Sequence, residues 1–249
     1  MTGPSPSPPA SPEDGRVCSV IQANLVAVRE RIAAACRQAG RDPGEVRLVA
    51  VTKYVDAVTT AATIRAGCLE LAESRPQAIW EKAATLSNLP ARWHLIGHLQ
   101  RNKVRRTLPL LNMLHSLDSL RLLEAMAAEA ASVEATRCDV LVEVNLTDDP
   151  GRSGAAIADL PALVTAAAAA EGVRLTGLMG MAGHPDADAA DARRDFARLR
   201  QLRDELAPRL ATPGLLHDLS MGMSGDFEAA ILEGATIVRI GSALYEGLR

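Results

Sequence analysis

The sequence predicts an α/β protein, a single-domain (β/α)8 barrel of the TIM type, on three observations. Eight short apolar runs recur along the chain, amphipathic alanine-rich stretches separate most of them, and no switch in pattern interrupts the alternation. A length of 249 residues is ordinary for such a barrel, and 48% hydrophobic with 23% charged residues is a globular composition. Aromatic residues make up only 2%, so Leu, Val, Ile, Ala and Met must fill the core.

The elements follow in order. Residues 1–15 are rich in proline and serine and lack the apolar side chains that offset ordering entropy, which predicts a disordered tail before a barrel spanning 16–249. Val20, Ile21, Leu25, Val28 and Ile32 recur at spacings of three and four and predict a helix from Val17 to near Gly40. Strands are expected at 46–55, 68–72, 93–96, 113–117, 140–144, 175–181, 215–221 and 236–244. Helices are expected at 57–66, 75–87, 120–131, 157–171, 191–210 and 226–233. Gly67, Gly172 and Gly234 stand where helices should end. The eighth run reaches almost to Arg249, so no second domain is expected.

Composition excludes several classes of function. The formal net charge of −3, from 27 basic and 30 acidic residues, provides no global field for nucleic acid. No apolar run approaches the roughly 18 residues of a membrane span. The opening MTGPSPSPPASPEDG has neither a basic start nor an apolar stretch, which argues against a secretory signal. Cys18, Cys36, Cys68 and Cys138 are scattered without a CxxC pair, as expected of a reduced cytoplasmic protein.

Lysine occurs only at Lys53, Lys82 and Lys103. Lys53 follows the run LVAVT, at the C-terminal end of the first strand, which faces the functional mouth of a barrel. Partial desolvation there favours the neutral amine, which attacks an aldehyde to form an imine; a lysine snorkelling to the rim is the alternative. Ser220-Met221-Gly222-Met223-Ser224-Gly225 lies between strand seven and a helix, where backbone N–H groups and a helix N-terminus suit an anion. The bland reading is an ordinary turn with Ser224 or Asp226 as N-cap. Val238-Arg239-Ile240-Gly241-Ser242 again ends in a glycine and a hydroxyl, and the loops after strands seven and eight are the recurrent phosphate site of these barrels. Arg239 lies in an apolar strand, so it either pairs with a carboxylate such as Glu143 or donates to a ligand acceptor such as a pyridine nitrogen. A lysine, a phosphate cup and an inward arginine at one mouth describe a pyridoxal phosphate site.

Several longer blocks carry a resemblance. Val49-Ala50-Val51-Thr52-Lys53, Trp93-His94-Leu95-Ile96-Gly97-His98-Leu99-Gln100-Arg101-Asn102-Lys103, His115-Ser116-Leu117-Asp118, Leu219-Ser220-Met221-Gly222-Met223-Ser224 and Asp226-Phe227-Glu228-Ala229-Ala230-Ile231 resemble the pyridoxal phosphate homeostasis protein family, over about residues 17–249. The resemblance implies a barrel of the alanine racemase N-terminal type with pyridoxal 5'-phosphate as cofactor. It implies Lys53 as the imine lysine and a phosphate held by Ser220, Gly222, Ser224, Gly241 and Ser242, with Met223 in the same block. Arg239 then faces the pyridine nitrogen, disfavours its protonation and leaves the ring a poor electron sink. The implied role is intracellular cofactor homeostasis without significant catalysis, by a monomer, with pyridoxal phosphate-dependent apoenzymes as recipients. One block departs: Leu71-Ala72-Glu73-Ser74 stands where the family usually has Phe-Gly-Glu-Asn. Ser74 offers a shorter hydroxyl beside the cofactor, and one lost polar contact costs about 0.5–1.5 kcal/mol, roughly three- to tenfold in affinity.

Other readings compete. A racemase-like enzyme needs a second base besides Lys53, for which Tyr245 and His98 are the candidates. His94 and His98 lack the acidic or cysteine partners of a metal site; His94 is expected at the pocket floor or in the core, His98 at the mouth. The run Gln100–Arg106 is densely basic, but no aromatic residues interleave for base stacking, and a solvated helix face is expected rather than an RNA site.

Overall fold

Parallel hydrogen-bonded pairs join each strand to the next, and the last strand pairs with the first, so the sheet closes into an eight-stranded barrel. The structure is a computed structural model that describes residues 12–132, 137–147, 149, 151–183 and 189–248. The strands are β1 (Arg47–Val51), β2 (Glu70–Glu73), β3 (Arg92–Leu95), β4 (Leu111–Leu117), β5 (Cys138–Glu143), β6 (Val173–Met179), β7 (Asp218–Ser220) and β8 (Ile237–Ile240). Around them lie α1 (Pro12–Gln38), α2 (Ala57–Arg65), α3 (Pro76–Thr85), α4 (Val104–Thr107), α5 (Leu120–Ser132), α6 (Leu160–Ala169), α7 (Ala189–Leu206) and α8 (Phe227–Leu232).

Each of the eight apolar runs overlaps one strand, although β2 to β6 each extend one or two residues beyond the expected bounds. Gly67, Gly172 and Gly234 adopt φ values of +91°, +77° and +96°, the left-handed backbone that ends a helix without a Cβ clash. The differences are local. Leu216 has φ +62°, which breaks the seventh run and leaves β7 only three residues. The eighth run stops at Ile240, because Ser242–Leu244 tighten into a single 3-10 turn. The basic run leads into α4, which buries Val104 and Thr107 and leaves Arg105 in solvent. Helix α1 starts at Pro12, inside the segment expected to be a tail; residues 1–11 of that segment lie outside the described residues.

The period of two along each strand separates two apolar clusters. Val49, Val51, Ala72, Met113, Leu141, Met179 and Ile237 fill the barrel interior, while a larger cluster joins the outward strand faces to the helices. Among the described residues no helix is long and apolar enough to cross a membrane. Phe196 on α7 is fully buried in the outer cluster. Phe196→Ala should therefore lower stability by about 3–5 kcal/mol, read as a reduced urea midpoint. A loss below about 1 kcal/mol would contradict this packing.

Candidate functional site

A cavity of about 1280 Å³ opens at the C-terminal ends of the strands. Of the residues singled out in the sequence, Lys53, Ser74, Met223, Ser224, Arg239, Gly241, Ser242 and Tyr245 line it. The closing register explains their meeting: Val49 pairs with Arg239 and Ala50 with Ile240, so the turns after β1 and β8 are neighbours.

Lys53 is exposed, with Nζ 4.9 Å from the Tyr54 ring centroid. This corrects the expectation of a partly desolvated amine. The β1 ladder ends at Thr52, whose N–H donates to the Ala72 carbonyl at 2.9 Å, and Lys53 stands one residue beyond it. What lies beneath is buried and charged. Lys82 Nζ donates to Glu73 Oε1 at 2.6 Å and to the Thr52 carbonyl at 2.8 Å, and Thr52 Oγ1 donates to the same Glu73 oxygen at 2.6 Å. The three residues tie α3 to the ends of β1 and β2, fixing the turns that carry Lys53 and Ser74. Beside them, a Cβ on Gly97 would lie 2.2 Å from the Ser74 carbonyl oxygen, so only glycine lets the β3 end approach Ser74.

Of the two turns expected to hold phosphate, the one after β8 directs two N–H groups to a single point. The N–H groups of Gly241 and Ala243 converge on Ser224 Oγ at 3.1 and 3.4 Å, with Ser242 between them. After β7, by contrast, the Met223 N–H donates to Asp226 Oδ1 at 2.5 Å, so a carboxylate of the chain already occupies the entry to α8. Burial raises the Asp226 carboxyl above its ordinary range, although that bond and Arg239 lower it. Gly222 is buried below this turn at φ +90°, and its carbonyl accepts the Arg239 N–H at 3.0 Å. Its part is to shape the β7–β8 junction, outside the cavity wall.

Arg239 is buried, 3% exposed, and yet lines the cavity. Nη1 donates to Ser220 Oγ at 2.7 Å and Nη2 to the Gly180 carbonyl at 3.2 Å. Burial pushes its pKa down to about 10, opposed by the charges of Asp226 and Glu143. Glu143 bonds instead with Ser153 Oγ, at 2.5 Å, and burial raises its carboxyl above the ordinary range. Ser220 was expected at the phosphate; it is fully buried under Arg239 because the alternation turns it into the barrel. His94, also expected at the cofactor, is buried deeper, between Glu70 and His115, at 2.7 and 2.9 Å. His98 is exposed and pairs with Asp118 at 3.0 Å, away from the cavity lining. Among the described residues no cluster of His, Cys, Asp or Glu could hold a metal ion.

Other cavity residues escaped the sequence reading. Arg31 comes from α1, pairs with Glu228 at 2.6 Å and lies 4.6 Å from the Phe227 ring centroid. Val51, Ile96, Met179 and Met181 form the apolar floor. Helical and strand periodicity reads these as core, and nothing in their spacing marks them as site residues.

Comparison with known proteins gives a consistent picture. The family model of the alanine racemase N-terminal domain matches residues 23–248. A pyridoxal phosphate homeostasis protein of Pseudomonas aeruginosa is 40% identical over 227 residues, covering 91% of this chain and 95% of that protein. PipY of Synechococcus elongatus, solved with pyridoxal phosphate bound, superposes with a TM-score of 0.80 at 31% identity, covering 90% of this chain and 99% of that one. An alanine racemase of Clostridium difficile shares the fold at a TM-score of 0.70 and 14% identity, with 91% of this chain matching 56% of its own.

The buried ion pair yields a stability test. Lys82→Met strands the Glu73 carboxylate and should destabilise the fold by about 3–5 kcal/mol, whereas Glu73→Leu combined with Lys82→Met should recover most of that loss. Urea denaturation measures both. Equal losses in the single and double variants would mean that the stranded charge is not the cause.

Proposed function

The chain belongs to the family of pyridoxal phosphate homeostasis proteins, and from that premise we propose that its cavity binds pyridoxal 5'-phosphate and holds it without turnover. The carrying observation is the meeting in one cavity of three unlike groups: the Lys53 amine, the Gly241 and Ala243 amides, and the buried Arg239 guanidinium. The cofactor supplies an electrophilic aldehyde carbon, a ring nitrogen and a phosphate.

Each group has a matching partner. Lys53 would offer its amine to the aldehyde carbon, the imine forming with loss of water. The two amides, with the hydroxyls of Ser224 and Ser242, bind phosphate oxygens in place of the bond to Ser224 Oγ. Arg239 keeps its charge at neutral pH and presents an N–H donor to the ring nitrogen. Met179, Met181 and Ile96 exclude water from the ring, and Ser74 takes the place beside it. Met223, at the cavity edge, covers the phosphate turn.

The two candidates for a racemase-type second base are poorly suited to the task. Tyr245 lines the cavity, but its hydroxyl accepts from Thr63 Oγ1 at 3.4 Å, and burial raises its pKa above the ordinary phenol value. His98 lies outside the lining. The exposed position of Lys53 suits release of the cofactor to apoenzymes that need it.

Mixing the purified protein with pyridoxal phosphate should give a visible absorption band, and borohydride reduction with peptide mapping should place the adduct on Lys53. Lys53→Ala should fold normally and lose the adduct, since an exposed side chain contributes little packing. Arg239→Gln should weaken binding by about tenfold or more and shift the band. No adduct, or an adduct on Lys82 or Lys103, would overturn the assignment. Rapid exchange of amino-acid α-hydrogens would overturn the absence of turnover.

A further inference from the structure

A line of polar side chains crosses the barrel interior beside the apolar cluster of Val49, Ala72, Met113, Leu141 and Ile237. It begins at Glu70, the first residue of β2, which is 22% exposed and borders a second cavity of about 500 Å³ at the opposite end of the barrel. Glu70 Oε2 lies 2.7 Å from His94 Nε2, His94 Nδ1 2.9 Å from His115 Nε2, and His115 Nδ1 2.8 Å from Ser220 Oγ. Ser220 Oγ accepts from Arg239 Nη1 at 2.7 Å. His94, His115 and Ser220 are each at most 1% exposed.

The direction of every bond follows from the two ends. Burial pushes the Glu70 carboxyl up, but the hydrogen bond from His94 and the charges of Arg92 and Arg47 bring it below the ordinary value, so it is a carboxylate that only accepts. His94 must therefore donate from Nε2. Burial lowers the pKa of both imidazoles, with Arg47 lowering each further, and for His94 this outweighs Glu70. A neutral His94 has a bare Nδ1, which accepts from His115 Nε2–H. The bare Nδ1 of His115 then accepts the Ser220 hydroxyl proton, and the Ser220 oxygen is left to accept from Arg239. No bond in the line can be reversed alone, because reversal would set two donors or two bare acceptors face to face. A carboxylate at one end and a guanidinium at the other polarise all four bonds in the same sense.

We propose that Glu70, His94, His115 and Ser220 are positioning residues whose one-way hydrogen-bond chain orients the Arg239 guanidinium toward the cavity. The line is a brace and no proton conduit, since its upper end is an arginine that keeps its proton. Two side-chain bonds, to Ser220 Oγ and the Gly180 carbonyl, fix the guanidinium plane and direct its remaining N–H groups. The role of that orientation in holding the ring nitrogen rests on the proposed binding of pyridoxal phosphate; the polarity of the chain does not.

Nitrogen-15 NMR of the full-length protein without cofactor reads the polarity directly. His94 and His115 should both be neutral with the proton on Nε2. Ser220→Ala should move the Nδ1 resonance of His115, and Glu70→Leu should move those of both histidines. A proton on Nδ1 of His115 in the unmodified protein would overturn the proposal, whether or not any variant folds. With pyridoxal phosphate added, Ser220→Ala should weaken binding about three- to tenfold and shift the visible band, and Ser220→Thr should restore both. An unshifted band with unchanged affinity would refute the positioning role. Failure of the unmodified protein to bind pyridoxal phosphate would refute the proposed function instead, leaving the tautomer result to stand by itself.

Discussion

Closure of the barrel by the β1–β8 pair is the constraint on which the rest depends. Four residue pairs, from Arg47 with Ile237 to Ala50 with Ile240, bring the two ends of the chain into one ladder. Closing so long a loop is entropically mild, because the cost grows by only about 0.6 kcal/mol per doubling of length. The geometric consequence is large, since the closure sets the Lys53 turn beside the Gly241 and Ala243 amides. Helix α1 reinforces it from outside. Asn24 Nδ2 donates to the Leu244 and Glu246 carbonyls at 3.1 and 2.9 Å, which pins the segment immediately after those amides.

Two buried polar systems then divide the work of alignment. Glu73, Lys82 and Thr52 form a short, dense knot under the lysine turn, and the line from Glu70 to Arg239 runs through the barrel. Neither is favoured over an apolar core on stability alone, because desolvating such groups offsets most of what their bonds return. Their value is directional. An apolar core of Leu and Val tolerates small rotations of its members, while a chain of satisfied donors and acceptors permits one arrangement.

Long-range register explains what could be read from the sequence and what could not. Strand and helix periodicities are local, so all eight strands were legible, as were the helix ends at Gly67, Gly172 and Gly234. Lys53 and the Gly241-Ser242 turn were also legible, because their place at a strand end already fixes which face of the barrel they occupy. Ser220 was misplaced for a related reason. It adjoins a Gly/Ser-rich turn, yet it is the last residue of β7, and that single step turns its hydroxyl inward to Arg239. The roles of His115 and Glu70 were invisible, because their partners come from other strands and only the barrel register brings them together. The desolvation expected for Lys53 failed by a similar margin, with the strand ending one residue before the turn that carries it.

Under the proposed binding mode, one arginine accounts for both retention and inactivity. At neutral pH Arg239 is charged even with its pKa lowered to about 10. A proton placed on a neighbouring ring nitrogen would meet that charge at roughly 4 Å, a repulsion of about 4 kcal/mol at an effective dielectric of about 20. That is about three pKa units, which disfavours a proton on the nitrogen. An unprotonated ring still accepts a hydrogen bond from the guanidinium, so affinity is kept, while its capacity to stabilise a carbanion is lost. The barrel that braces Arg239 in its charged, donating state thereby favours holding the cofactor over using it.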